Sequence, residues 1–218
     1  MNKTEIDKIL EGRSFREMEV RALTADEGGE DSYLVEGYAT TFNQPYVLWQ
    51  EEGWTLLEQV DRHAFDNTDM TDVIMQYDHS GRVFARKSNG TLALTIDDHG
   101  LKVRADLSGT DIGRQLYQEI KGGYTTKMSF GFIIDEGGDR RETTEEDGKV
   151  TIVRTITNIR KLFDVSAVSL PANDATAISA RNEGEGVIAL IREELAETAK
   201  VRAQKQEIIN RINGMKEV

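Results

Sequence analysis

Three polar side chains stand in apolar surroundings, and together they are the parts of a nucleophilic hydrolase. Ser129 lies in Lys127-Met128-Ser129-Phe130-Gly131-Phe132, followed by Ile133 and Ile134. His79 closes an apolar strand within Gln76-Tyr77-Asp78-His79-Ser80-Gly81-Arg82, and Asp164 interrupts Leu162-Phe163-Asp164-Val165-Ser166-Ala167-Val168. A strand's period of two puts Phe130, Phe132 and Ile134 on one face, with Ser129, Gly131 and Ile133 on the other. Gly131 leaves room beside the hydroxyl for a carbonyl to approach. Near neutral pH an imidazole accepts a serine proton and returns it to a leaving amine. A carboxylate in an apolar strand is costly without a partner, and a histidine N–H would supply one. Taken singly, each residue has a plain alternative. Ser129 could bond to backbone, His79 could cap a strand end, and Asp164, sharing its face with Ser166 and Val168, could face solvent on an edge strand.

Competing chemistries fit less well. His79 and Asp78 are a start for a metal site, but zinc wants three or four ligands at short spacing. The chain has no cysteine and only three histidines, and His63 and His99 sit in polar, turn-like settings. Neither a metal nor a cofactor is expected. Asp135-Glu136-Gly137-Gly138 lacks the lysine and apolar helix of a phosphate-binding loop.

Short strands should position these groups. Glu19 to Leu23, Ser32 to Phe42, Trp54 to Val60 and Val73 to Tyr77 have strand composition. Thr91 to Ile96 and Leu101 to Leu107 read as a hairpin, and Val150 to Ile156 and Lys161 to Leu170 as the last strands. Ile112, Leu116 and Ile120 recur every four residues, with Thr110 or Asp111 as cap and Gly122-Gly123 as stop. That predicts a helix leading into the Ser129 strand. Pro45 is placed in a connecting loop, and Pro171-Ala172-Asn173 ends the sheet structure. From Gly186, the residues Val187, Leu190, Ile191 and Leu195, then Ile208, Ile209 and Ile212, give a helix with a partial apolar stripe. The expected class is mainly β with helices, α+β, on a barrel-like core. Residues 1–15 form a loose leader, 16–180 the β domain, and 181–218 a helical tail.

The composition sets limits. The 218 residues are 38% hydrophobic, enough for one core. A net charge of -12 argues against direct nucleic-acid binding. The acidic blocks 26–31, 135–139 and 142–148 read as solvated hairpin tips and loops. No apolar run approaches the length of a membrane span, and the N-terminus lacks a secretory layout. Without cysteine there are no disulfides, and the expected compartment is a cytoplasm or something assembled there.

In combination these segments resemble the phage prohead protease family, the capsid-maturation serine proteases of tailed phages. The resemblance runs from about Val35 to Thr176. It rests on Val35-Glu36-Gly37-Tyr38-Ala39-Thr40-Thr41-Phe42-Asn43, Val60-Asp61-Arg62-His63-Ala64-Phe65 and Gln76-Tyr77-Asp78-His79. Thr91-Leu92-Ala93-Leu94, Asp98-His99-Gly100-Leu101, Thr110-Asp111-Ile112-Gly113, the Ser129 run, and Leu162 to Ser166 with Leu170-Pro171-Ala172 continue it.

The resemblance implies an assemblin-like closed or partly closed β-barrel with flanking helices. It makes Ser129 the nucleophile, His79 the general base and Asp164 the acid, at a position where the family usually carries glutamate. It further implies an endopeptidase that cuts the scaffolding segment of the major capsid protein, and itself, inside assembling proheads in the host cytoplasm. Self-association is left open; no membrane and no direct nucleic acid are involved. Arg82 and Arg86, placed in a loop after the histidine, are either substrate or oxyanion contacts or simply solvated. The tail either pairs with helical scaffold segments or packs on its own barrel. A non-enzymatic capsid assembly factor on the same fold, and an acyl hydrolase of small esters, are the alternatives.

Overall fold

The structure, a computed structural model, describes residues 20–23, 32–169 and 178–214. Residues 1–15, the acidic block 26–31 and Pro171-Ala172-Asn173 lie outside the described residues. Twelve strands and two α-helices are seen among the described residues, so the protein is mainly β in an α+β arrangement. The chain divides into two units, Met1–Arg181 and Asn182–Val218.

The first unit holds three four-stranded sheets. One is ordered β1 (Val20–Ala22), β2 (Leu34–Thr41), β8 (Gly100–Asp106), β7 (Leu92–Ile96). A second is ordered β10 (Asp139–Glu146), β11 (Lys149–Ile156), β4 (Trp54–Val60), β3 (Tyr46–Glu51). The third carries Ser129 and Asp164 on its strands and His79 on the turn between two of them, and is ordered β6 (Ser80–Arg86), β5 (Ile74–Tyr77), β12 (Ile159–Val168), β9 (Lys127–Ile134). Val35 and Val103 from the first sheet, Val60 and Ile156 from the second, and Met75, Phe130 and Val165 from the third share one core.

None of the sheets closes into a barrel among the described residues. Where they meet, single links replace ladders. Val20 N–H bonds Thr126 O at 3.0 Å between the first and third sheets, and a Phe42–Val60 bridge joins the first to the second.

Helix α1 (Asp111–Lys121) forms as its periodicity predicts. Thr110 caps it, its side chain accepting from Gly113 N–H at 3.0 Å. Leu116, Tyr117 and Ile120 turn into the core. Gly123, at φ 74°, supplies the left-handed residue that ends the helical run.

Three strands were not anticipated. β3 follows Pro45 directly, where a connecting loop was expected. β10 is the block expected as an acidic loop. It pairs with β11 along its whole length, Asp139 opposite Ile156 through Glu146 opposite Lys149. Its side chains are almost all exposed, as on a charged edge strand, so no apolar alternation betrays it. β6 occupies the segment placed in a loop after His79.

Most of the second unit is helix α2 (Ile178–Gly214), which begins ahead of the expected Gly186. Isolated glycines cost about 1 kcal/mol each within a helix without ending it.

Candidate active site

Strand β9 presents Ser129 because its neighbours are committed to the core. Met128 and Phe130 are fully buried. Phe130 stacks on Phe132 with ring centroids 4.6 Å apart and meets Phe65 at 6.2 Å. Each such side chain stabilises the strand by about 1.5–3 kcal/mol. The register is thereby fixed, and a one-residue slip would bury the hydroxyl's face in the core.

Strand β12 runs between β9 and β5, antiparallel to the first and parallel to the second. Its register sets Ser166 opposite Ser129 on one side and Gln76 on the other. Asp164 stands opposite Gly131 and Ile74. Strict alternation would put Asp164 on the face of Leu162, yet Leu162 and Val165 are both fully buried core residues. A β-bulge resolves this. The register shifts between Leu162 and Asp164, leaving Phe163 as the extra, 40% exposed residue. Beyond the bulge Asp164 shares a face with Ser166 and Ser129. Gly131 adds no side chain on the acid's row.

His79 arrives on a tight turn. Tyr77 pairs with Ser80, so Asp78 and His79 are the two central residues of the β5–β6 hairpin. Both have positive φ, 48° and 54°, as a type I′ turn requires. His79 Nδ1 lies 2.7 Å from Asp164 Oδ1, both side chains being more than nine-tenths buried. The same carboxylate oxygen accepts from Ser166 Oγ at 2.7 Å. An aspartate acceptor at Nδ1 places the proton there and leaves Nε2 as the lone-pair nitrogen.

His79 Nε2 and Ser129 Oγ are buried and have no hydrogen-bond partner, and they are the only such side-chain atoms among the described residues. No hydrogen bond joins them to each other. Catalytic hydrogen bonds are often long before substrate binds and tighten in the complex. The structure thus joins His79 to Asp164 directly, and brings Ser129 alongside through Ser166.

The other histidines stand apart. His63 is exposed, 3.0 Å from Asp66, and His99 packs edge-on against Tyr38 with centroids 4.5 Å apart. Arg82 and Arg86 lie on strand β6. Arg86 Nε and Nη2 grip Asp72 at 2.5–3.0 Å, and this hydrogen bonding holds the Asp72 carboxyl down to about 2. That makes Arg86 a structural residue. Arg82 lines a cleft of about 400 Å³ between β6 and α1, with Tyr77, Phe84 and Leu116. Among the described residues no three His, Asp or Glu side chains gather to hold a metal ion.

Sequence reasoning missed two contributors. Ser166 is fully buried, and its signal was present, since period two puts it on the face of Asp164. In the sequence Asp78 reads as a metal ligand. Its carboxylate instead accepts from Ser169, N–H to Oδ1 at 2.8 Å and Oγ to Oδ2 at 2.9 Å.

No curated protein and no solved structure matches the chain. One protein family does match, described as Caudovirus prohead serine protease, over residues 16–187. With most of its length covered by that match, the chain belongs to the caudovirus prohead serine protease family.

Proposed function

We propose that this maturation protease uses Ser129 as nucleophile, His79 as general base and Asp164 as the acid that orients the histidine. One observation carries the reading. Asp164, bonded to His79, shares a sheet face with Ser129, and the two atoms that must exchange a proton lack partners among the described residues.

As Ser129 Oγ attacks a peptide carbonyl carbon, its proton passes to His79 Nε2 and the carbonyl oxygen takes the negative charge. Collapse breaks the C–N bond, and His79 returns the proton to the departing amine. Water then attacks the acyl-serine ester, with Nε2 again taking and returning a proton. Asp164 keeps Nδ1 protonated throughout and offsets the charge of the imidazolium. Ser166 holds the carboxylate in place from below.

The substrates are the scaffolding segment of the major capsid protein and the protease itself, cut within the assembling prohead in the host cell. Three sheets around one core suit an assemblin-like arrangement that falls short of full closure. Co-expression with the capsid protein of the same phage tests the mechanism. Wild type should shorten the capsid protein, and Ser129→Ala should leave it full length. Processing that persists in the variant defeats the serine mechanism.

The tail is the recruiting element. Leu190, Val201 and Ile208, on α2, are each more than half exposed, an apolar series suited to a helical scaffold partner. A chain ending at Arg181 should still cleave added substrate but be missing from proheads on immunoblots. Normal incorporation would rule the tail out.

A further inference from the structure

We infer that Asp78 is a positioning residue for His79, acting through a latch to Ser169; this rests on the reading of His79 as the base. Asp78 and His79 are consecutive non-glycine residues with left-handed backbones, a combination found nowhere else among the described residues. Asp and His tolerate that region better than most residues, yet neither prefers it. Two in succession persist only where the surroundings over-determine them.

The surroundings that do so are visible. Asp78 N–H donates to Ala167 O at 3.0 Å, extending the parallel β5–β12 pairing into the turn. The Asp78 carboxylate takes Ser169 N–H at 2.8 Å and Ser169 Oγ at 2.9 and 3.1 Å. Ser169 directly follows β12, the strand that carries Asp164. One side of the turn is therefore tied to β12 by Asp78, and the other reaches back to Asp164 through His79 Nδ1. With only one of these ties the turn could rotate about it. With both, the imidazole plane is fixed and Nε2 is held toward the Ser129 face.

The latch is exposed to solvent, so it adds little to global stability. Its effect is on geometry, where a misplacement of about 1 Å costs on the order of 10²-fold in rate. Asp78→Gly separates backbone from latch, because glycine accepts a positive φ freely while removing the carboxylate. Asp78→Asn keeps an oxygen for the Ser169 N–H and tolerates the same backbone.

The readout is the rate of labelling of the full-length chain by a fluorophosphonate, measured across probe concentrations up to saturation. In that reaction Ser129 Oγ forms a bond to phosphorus, fluoride leaves, and the serine proton passes to His79, so no peptide substrate is needed. Labelling of wild type at Ser129 tests the proposed function; the variants test the latch. Asp78→Gly should lower the maximal labelling rate about 100-fold, with the half-saturating probe concentration unchanged and the thermal midpoint within a few degrees of wild type. Asp78→Asn should stay within about 10-fold of wild type. Ser169→Ala should cost about 10-fold in the wild-type background and nothing further in Asp78→Gly. The inference is overturned if Asp78→Gly labels at the wild-type rate, or if Ser169→Ala costs the same in both backgrounds. Should Asp78→Gly fail to fold, Ser169→Ala alone decides: a loss of about 10-fold at an unchanged thermal midpoint supports the latch, and labelling at the wild-type rate overturns it.

Discussion

The domain buries two polar clusters, and they are built on opposite rules. In the sheet of β3, β4, β10 and β11, Arg154 and Glu58 are cross-strand neighbours, each 2% exposed, with Nη1 2.9 Å from Oε2. Arg154 Nε also reaches Asp139 at 2.6 Å, and the Tyr46 hydroxyl donates to the other Glu58 oxygen. Burial alone would push the guanidinium down. The two carboxylates outweigh it and hold Arg154 above its ordinary value. In the sheet of β5, β6, β9 and β12, Ser129 and Ser166 are as deeply buried and the His79 and Asp164 side chains are 6% and 9% exposed, yet two atoms of this cluster have no partner among the described residues. An unsatisfied buried polar atom costs about 1–3 kcal/mol. One cluster has spent its hydrogen-bonding capacity on the fold, and the other, in the mechanism proposed above, keeps part of it for a reacting molecule.

Ser129→Ala gives the largest effect and tests the second half of that contrast. Turnover should fall by about 10⁶-fold, the scale of losing a serine nucleophile. Thermal unfolding should show the variant as stable as wild type, or up to about 1 kcal/mol more stable, because the lost hydroxyl had no bond to lose. Destabilisation beyond about 2 kcal/mol would mean that Ser129 holds the fold together, and the contrast would fail.

Arg154→Met probes the first half. It leaves the Glu58 carboxylate buried without its cation, and breaking a buried pair costs about 3–5 kcal/mol. In a chain of this size the thermal midpoint should drop on the order of 10 °C. Fluorophosphonate labelling per folded molecule should stay within about twofold of wild type. Replacing Glu58 by leucine as well should recover part of the loss, since an apolar pair carries no stranded charge. A single variant that loses labelling while keeping its midpoint would reverse the assignment of the two clusters.

How far the sequence reveals these clusters follows from the same physics. Ser129 and Asp164 were visible because a polar residue stands out inside an apolar strand. α1 was visible because its period and caps agree. The Arg154 network was hidden, since pairing across β4 and β11 depends on a parallel register that no local pattern encodes. The bulge at Phe163 was hidden too, because it inverts parity within a run that looks uniformly apolar. The β5–β6 hairpin went unread for a third reason. Its turn is Asp78-His79, where a two-residue hairpin usually advertises itself with a glycine, as Asp147-Gly148 does between β10 and β11.

Ser166→Ala has the smallest expected effect and is the sharpest test, because this residue belongs to both kinds of cluster. Its hydroxyl is fully buried and bonded, like the groups around Arg154, but its acceptor is the carboxylate that also bonds His79 Nδ1. Removing it leaves Asp164 with the imidazole alone as a side-chain donor. A hydrogen bond to a charged group contributes about 1.5–3 kcal/mol, and some of that returns if the carboxylate shifts toward His79. Stability should therefore fall by about 1 kcal/mol and labelling by about tenfold. Both changes should appear in the same variant. Stability loss alone would place Ser166 with the scaffold, as a residue that packs β12 against β9. A loss approaching that of Ser129→Ala, with stability intact, would mean its hydroxyl reaches the reacting atoms and that the line between the two clusters runs through a different residue.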